Sequence, residues 1–330
     1  MTSVYRPILK NAWHILWRAK YLWFFGLFVA LVTNSGEINL LITNFFGLSS
    51  QNDALQNARL IYSSGMFGNY AANFKLFLST FTWPVILLLI ILVAIILFLI
   101  WVAVSSQAAL ISGAYKEYNK EVSGFLSTWR TGRQNFWKVL WVNVLGKLVI
   151  FIAMLIIGLP LATAYIRTGA LAFQDWFAFF LFFILIPVAI VISFLIKYAA
   201  MYIVLRKEKI KVAIRKAWKL FIKNWLVSIE MAIVMFLITF LMILIIIVSS
   251  YLLGVILDML LGVSYSLDPV KVFVPTAIFS LIIFLAFLFW LGALFFTFSI
   301  TSWTILFDRL QKGPVFSKLS RWLSGVGKEK

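Results

Sequence analysis

The chain has 330 residues, of which 63% are hydrophobic, 18% aromatic and 12% charged, and its net charge is +18 at neutral pH. So apolar a composition excludes a soluble globular domain, in which about half the residues are apolar and about a quarter charged. The absence of cysteine excludes disulfides, thiolate metal sites and cysteine nucleophiles, and the single histidine, His14, excludes a multi-histidine metal site.

The N-terminal "MTSVYRPILKNAWHILWRAK" mixes aromatics with cations and lacks a small-residue cleavage site, so it is expected to persist in the mature chain. As a helix it carries Lys10, His14 and Arg18 on a polar stripe and Leu9, Trp13, Leu16 and Trp17 on the apolar side. The first apolar run, 21–34, is short and ends at Asn34, Glu37 and Asn39, which predicts a thin, tilted or partly inserted span. Next, "INLLITNFFGL" sets Ile38, Leu41, Ile42 and Phe45 on one face of an interfacial helix, and the Asn-, Ser- and Gly-rich residues 49–80 read as the long external loop.

A second span is predicted at 84–104. A second amphipathic segment follows, "STWRTGRQNFWKVLW" at 127–141, with Arg130, Gln134 and Lys138 opposed by Phe125, Trp129 and Phe136 and with Gly132 weakening the helix. Spans at 148–166 and 177–196 come next. The third amphipathic segment, "AIRKAWKLFIKNWL" at 213–226, is the most regular. Here Lys211, Arg215, Lys219 and Lys223 step by four along one stripe, and Ile214, Trp218, Phe221 and Trp225 line the other side. Spans at 231–253 and 276–298 complete the set, each close to the ~20 residues that cross a bilayer. In the tail, Phe316, Leu319, Leu323 and Val326 share a face from which Lys318 and Arg321 are absent.

This order predicts an all-α integral membrane protein with about six transmembrane helices. They form three hairpins, each preceded by an amphipathic interfacial helix, in units 1–112, 113–205 and 206–305, with an amphipathic tail at 306–330. The cations fall on one side: Arg6 to Lys20, Lys116 to Lys138, eight from Arg206 to Lys223, and Arg309 to Lys330. Only Arg59, Lys75, Arg167 and Lys271 fall on the other, so the positive-inside rule places both termini in the cytoplasm of a cell whose inner or plasma membrane the chain crosses several times.

No charge stands at the middle of these spans. Lys147, Lys197 and Glu230, with Gln107 and Asn143, lie instead in one layer at their cytoplasmic ends. Either the lysines snorkel to the headgroups and Glu230 is solvated, or the layer converges, with Glu230 paired to Lys147 or Lys197 in a positive vestibule suited to a phosphate.

The passage "YAAMYIVLRKEKIKVAIRKAWKLFIKNWLVSI" (198–229) has a hydrophobic helix, a charged turn, an Ala-Trp amphipathic helix and re-entry, and "ILKNAWHILWRAKYLWFFGLF" (8–28) has the same style. In this layout the chain resembles uncharacterised bacterial six-span inner-membrane proteins related to the membrane domain of glycerophosphodiester phosphodiesterases. The hydrolase domain of that group has no counterpart in this sequence, and no catalytic residue carries over. The resemblance implies an envelope or lipid-associated role.

Three functions compete. No phosphate loop, paired-histidine motif or nucleophile elbow is present, so an intramembrane enzyme ranks last and neither cofactor nor metal is expected. A transporter or permease component for an unknown solute or lipid would need midplane carboxylates or broken helices, and only Gly158-Leu159-Pro160 and Pro187 offer breaks. A non-enzymatic lipid-associated or scaffold protein ranks first. Its expected partners are anionic membrane lipids rather than nucleic acid, with a second copy or another membrane protein left open. The residues expected to meet the membrane surface are Lys10, Trp13, Trp17, Arg18, Trp129, Arg130, Lys138, Lys211, Arg215, Trp218, Lys219, Lys223 and Trp225.

Overall fold

In the computed structural model, which describes residues 5–32, 83–168, 174–268 and 270–313, every regular element is a helix. In chain order these are α1 (Tyr5–Arg18), α2 (Leu22–Val32), α3 (Trp83–Tyr118), α4 (Phe125–Thr168), α5 (Gln174–Arg206), α6 (Ile210–Lys223), α7 (Trp225–Leu267) and α8 (Phe273–Lys312). Five of them, α3, α4, α5, α7 and α8, are long and apolar enough to cross a bilayer, and the protein is an all-α multi-pass membrane protein. Helices suit this setting because they satisfy their own backbone hydrogen bonds where no water can.

The expected first span is represented by α2, whose 11 residues make a helix of only ~16 Å. Residues 33–82, with the interfacial segment around Ile38–Phe45 and the long loop, lie outside the described residues, as does the tail from 314 on.

The five long helices have 36, 44, 33, 43 and 40 residues, so each is ~50–66 Å long against a hydrocarbon layer of ~30 Å. The expected spans are therefore parts of longer helices. Nothing between Trp141 and Leu148 breaks the backbone ladder, and the second amphipathic segment and the span after it form one helix, α4, rather than two. Gly158, Pro160 and Pro187 likewise fall inside helices that run past them. Real breaks flank the other two segments. After α1 the chain turns at Lys20 and Tyr21. Asn224 parts α6 from α7 by directing its amide N–H to the Leu220 and Phe221 carbonyls and its side-chain amide to Leu220 O at 3.1 Å.

The chain packs as two compact units, each described by itself. One holds α1, α2, residues 102–139 and residues 197–313; the other holds residues 83–101 and 140–196. In the first unit, three helix segments are buried on every side: Val102–Ala114 of α3, Tyr198–Val204 of α5 and Thr301–Asp308 of α8. The change of environment in α3 is abrupt, because Leu87–Ile100 are all exposed and Val102 begins the buried stretch. Residues 83–101 alone would reach ~28 Å, the thickness of the hydrocarbon, so the buried turns continue beyond a full span.

Aromatic and polar contacts tie the basic ends of these segments together. Tyr198 and Tyr202 of α5 pack on Phe307 of α8 at 6.2 and 4.9 Å, and Arg206 donates from Nε and Nη2 to Gln311 at 3.0 and 2.8 Å. Lys312 pairs with the buried Asp308 at 2.5 Å, donates to Asn119 at 3.4 Å and stands 5.9 Å from the Tyr118 ring, joining α8 to the end of α3. Glu117 gathers the α1–α2 turn and the α3–α4 loop, accepting from Tyr21 at 3.3 Å and from Ser123, with Arg18 at 3.9 Å. Burial pushes the Tyr21 hydroxyl above its ordinary pKa, the Ser123 hydrogen bond opposing the shift.

Two glycines allow the closest helix approaches. A Cβ on Gly26 of α2 would stand 2.2 Å from Thr297 Oγ1 and 2.4 Å from the Ala293 carbonyl oxygen of α8. Gly132 of α4, which looked like a weak point, meets the Ser105 carbonyl oxygen of α3 in the same way at 2.3 Å. Beside Gly26, the Phe25 ring lies nearly parallel to Phe125 and Trp129, with centroids 5.1 and 6.1 Å away. Gly26→Ala should push α2 off α8 and destabilise the detergent-solubilised protein by about 1–3 kcal/mol. Gly254→Ala, where a Cβ meets nothing within 4 Å, should leave the melting temperature unchanged or raise it slightly. Equal melting temperatures for Gly26→Ala and the unmodified protein would contradict the close packing.

Candidate functional site: the basic-aromatic helices and the polar layer

The sequence of α6 sorts its side chains into three sectors. Ala213, Ala217, Leu220 and Phe221 are buried against the protein, as small and aliphatic residues at three- and four-residue spacing allow. Trp218 and Ile222 follow round the helix and are about half exposed, at 46% and 52%. Lys211, Arg215, Lys216, Lys219 and Lys223, all exposed, fill most of the rest of the circumference.

The α1 helix repeats this order. Tyr5, Ile8, Ala12, Ile15 and Leu16 are buried, Trp13 and Trp17 are exposed, and Arg6, Lys10, His14 and Arg18 are exposed beside them. The expected apolar faces are thus divided. Leu16 and Phe221 go inward against the protein rather than to the membrane surface, whereas Trp13, Trp17, Trp218 and Trp225 stay exposed. The start of α4 shows the pattern more loosely. Gly132, Asn135, Phe136 and Val139 are buried, Trp129 and Lys138 are half-buried, and Arg130, Arg133 and Trp137 are exposed.

From α1 a chain of edge-on aromatic contacts leads to the apolar helices. Trp13 meets Trp17 at 5.8 Å, Trp17 meets Trp23 at 5.5 Å and Trp23 meets Trp290 of α8 at 6.4 Å, while the Trp23 indole donates to Leu16 O at 2.8 Å. On α6 the cations surround a shallow concavity of about 210 Å³ lined by Lys211, Val212, Arg215, Lys216 and Lys219. Glu208, just before the helix, binds Lys216.

Residues of the expected polar layer are distributed between the two units. Gln107, Lys197 and Glu230 belong to the first, where Gln107 and Glu230 are buried and Lys197 is half-buried. Asn143 and Lys147 belong to the second, the asparagine buried and the lysine exposed. Glu230 accepts a hydrogen bond from the Tyr5 hydroxyl of α1. The Lys197 ammonium stands 4.7 Å from the centroid of the Trp303 ring, a cation–π contact that keeps a charge within an apolar setting. Further polar groups that the sequence did not single out share this interior. The Tyr198 and Ser228 hydroxyls bond at 2.8 Å, Thr297 donates to Leu22 O at 3.3 Å, and the buried hydroxyls of Ser105, Ser106 and Thr301 have no hydrogen-bond partner among the described residues.

Another residue escaped sequence reasoning. Because α7 continues to Leu267, Asp258 lies within an apolar helix, ~15 Å from its end, rather than in a loop. Its neighbours one turn away on the same face, Gly254 and Gly262, have open space where a Cβ would stand. Among the described residues, no three of histidine, aspartate and glutamate come together as a metal site.

Comparison with protein-family models, with curated proteins and with solved structures finds no match to this chain.

The Tyr5–Glu230 bond joins residues 225 positions apart and is open to a direct check. Tyr5→Phe should cost about 1–2 kcal/mol of stability in detergent, and Glu230→Gln a comparable amount. The double variant should lose less than the sum of the two, and strict additivity would show that the two side chains do not interact.

Proposed function

We infer that this protein is a non-enzymatic, lipid-associated component of its membrane, which holds anionic lipid against the basic ends of its helices on the cytoplasmic side. The observation that carries this reading is the common order of sectors on α1 and α6: an apolar seam buried against the protein, outward tryptophans, then exposed cations. Tryptophan favours the headgroup level, and each basic side chain beside an anionic leaflet gains about 1 kcal/mol. The resemblance of its layout to six-span inner-membrane proteins, and a sequence without a nucleophile-and-base arrangement, support the same view.

Native mass spectrometry of the full chain, released from a mild detergent containing both phosphatidylglycerol and phosphatidylcholine, tests it. Phosphatidylglycerol should be retained in preference, and raised salt should weaken the preference because exposed charges are screened. Equal retention of the two lipids would overturn the reading. Orientation is checked separately: a reporter fused after Lys223 should signal the cytoplasm and one inserted within 49–80 the opposite compartment.

A second reading, movement of a solute across the bilayer, draws on the five helices long and apolar enough to cross it. Solute flux in reconstituted vesicles separates the two.

A further inference from the structure

The α6 concavity has a definite chemistry. Lys211, Arg215 and Lys219 follow one another at single-turn intervals, so their charged groups project side by side, and Lys216 closes the neighbouring edge over Val212. Glu208 accepts from Lys216 and offsets one of these charges. Among the described residues, Lys211, Arg215 and Lys219 form no ion pair with a carboxylate. Like charges at four-residue spacing repel one another, and on an isolated helix such an arrangement is destabilising. An anion placed between them removes that repulsion and gains hydrogen bonds to ionised donors, among which the planar guanidinium of Arg215 can give two.

The surroundings select among anions. Immediately beside the cations, Trp218 and Ile222 form an exposed apolar flank, and Trp225, 53% exposed, starts α7 one residue after Asn224. From there α7 continues as an apolar helix with Ile233, Phe236, Leu237 and Phe240 exposed. A phosphate bound in the concavity therefore has an apolar surface on one side that leads along α7, which complements a headgroup with acyl chains and offers nothing to a free ion.

We propose that Lys211, Arg215, Lys216 and Lys219 form a binding site for the phosphate of an anionic phospholipid, whose acyl chains run past Trp218 and Ile222 along α7. This deepens the lipid-associated reading and rests on it, by assigning one site to the lipid.

The test uses the full chain in mild detergent, with phosphatidylglycerol, phosphatidylcholine and inorganic phosphate as separate probes, and native mass spectrometry as the readout. The K211Q/R215Q/K219Q variant changes only exposed side chains and should lose affinity for its most tightly held phosphatidylglycerol by roughly tenfold or more. A charge-conserving variant, K211R/R215K/K219R, should keep most of that affinity, which guards against a mere effect of altered folding. If K211Q/R215Q/K219Q holds phosphatidylglycerol as tightly as the unmodified chain, the site is wrong while lipid association stands. If the unmodified chain does not distinguish phosphatidylglycerol from phosphatidylcholine, site and wider reading fall together. Displacement of the lipid by millimolar inorganic phosphate would overturn the claim that the acyl chains contribute.

Discussion

A helix segment buried around its whole circumference can exist only where other helices enclose it, and three such segments set the form of the first compact unit. Val102–Ala114, Tyr198–Val204 and Thr301–Asp308 lie toward the C-terminal ends of α3, α5 and α8. Their side chains are small or aliphatic where backbones approach and aromatic where space remains: Ala108, Ala109 and Ala114 in α3, and Trp303 and Phe307 against Tyr198 and Tyr202. Helices α1, α2, the start of α4, α6 and the start of α7 belong to the same unit and bury side chains within it. The amphipathic helices are therefore structural walls that also carry exposed tryptophans and cations.

This double duty explains the three sectors. A helix that only floats on a bilayer needs an apolar face and a polar face. One that also closes a protein core needs a third, narrow enough for close contact, and alanine supplies it in both cases: Ala12 in α1, and Ala213 and Ala217 in α6. The tryptophans are thereby displaced outward, to positions where an indole can keep its ring in an apolar layer and its N–H among polar groups. The aromatic sequence Trp13, Trp17, Trp23, Trp290 then connects the amphipathic α1 to the membrane helix α8 without a gap.

Polar side chains in this interior join helices. Tyr5 to Glu230, Tyr198 to Ser228, Thr297 to Leu22 and Lys197 to Trp303 each link different elements of the first unit. At the ends of the helices, Arg206 with Gln311, and Lys312 with Asp308 and Asn119, do the same in a more solvated setting. In apolar surroundings such bonds are costly to leave unmade, so they also fix which helix faces meet.

Composition and the recurrence of apolar runs determined by themselves that this is an all-α membrane protein, because burial in lipid depends on length and hydropathy along the chain, both local quantities. Periodicity likewise located the cations of α1 and α6, since charged side chains at four-residue steps must share a stripe. Tertiary structure decided where the helices end and which way the aromatics face. Helix length depends on whether anything interrupts the backbone ladder, so α4 runs unbroken through the amphipathic segment at 127–141 and α7 carries Asp258 beyond the expected span. Trp218 and Phe221 are similar residues on one apolar side by periodicity alone. Only the approach of neighbouring helices, through seams such as Ala213 and Ala217 and contacts such as Gly26 on Ala293, turns one toward the core and leaves the other outside, and that approach joins residues hundreds of positions apart in the chain.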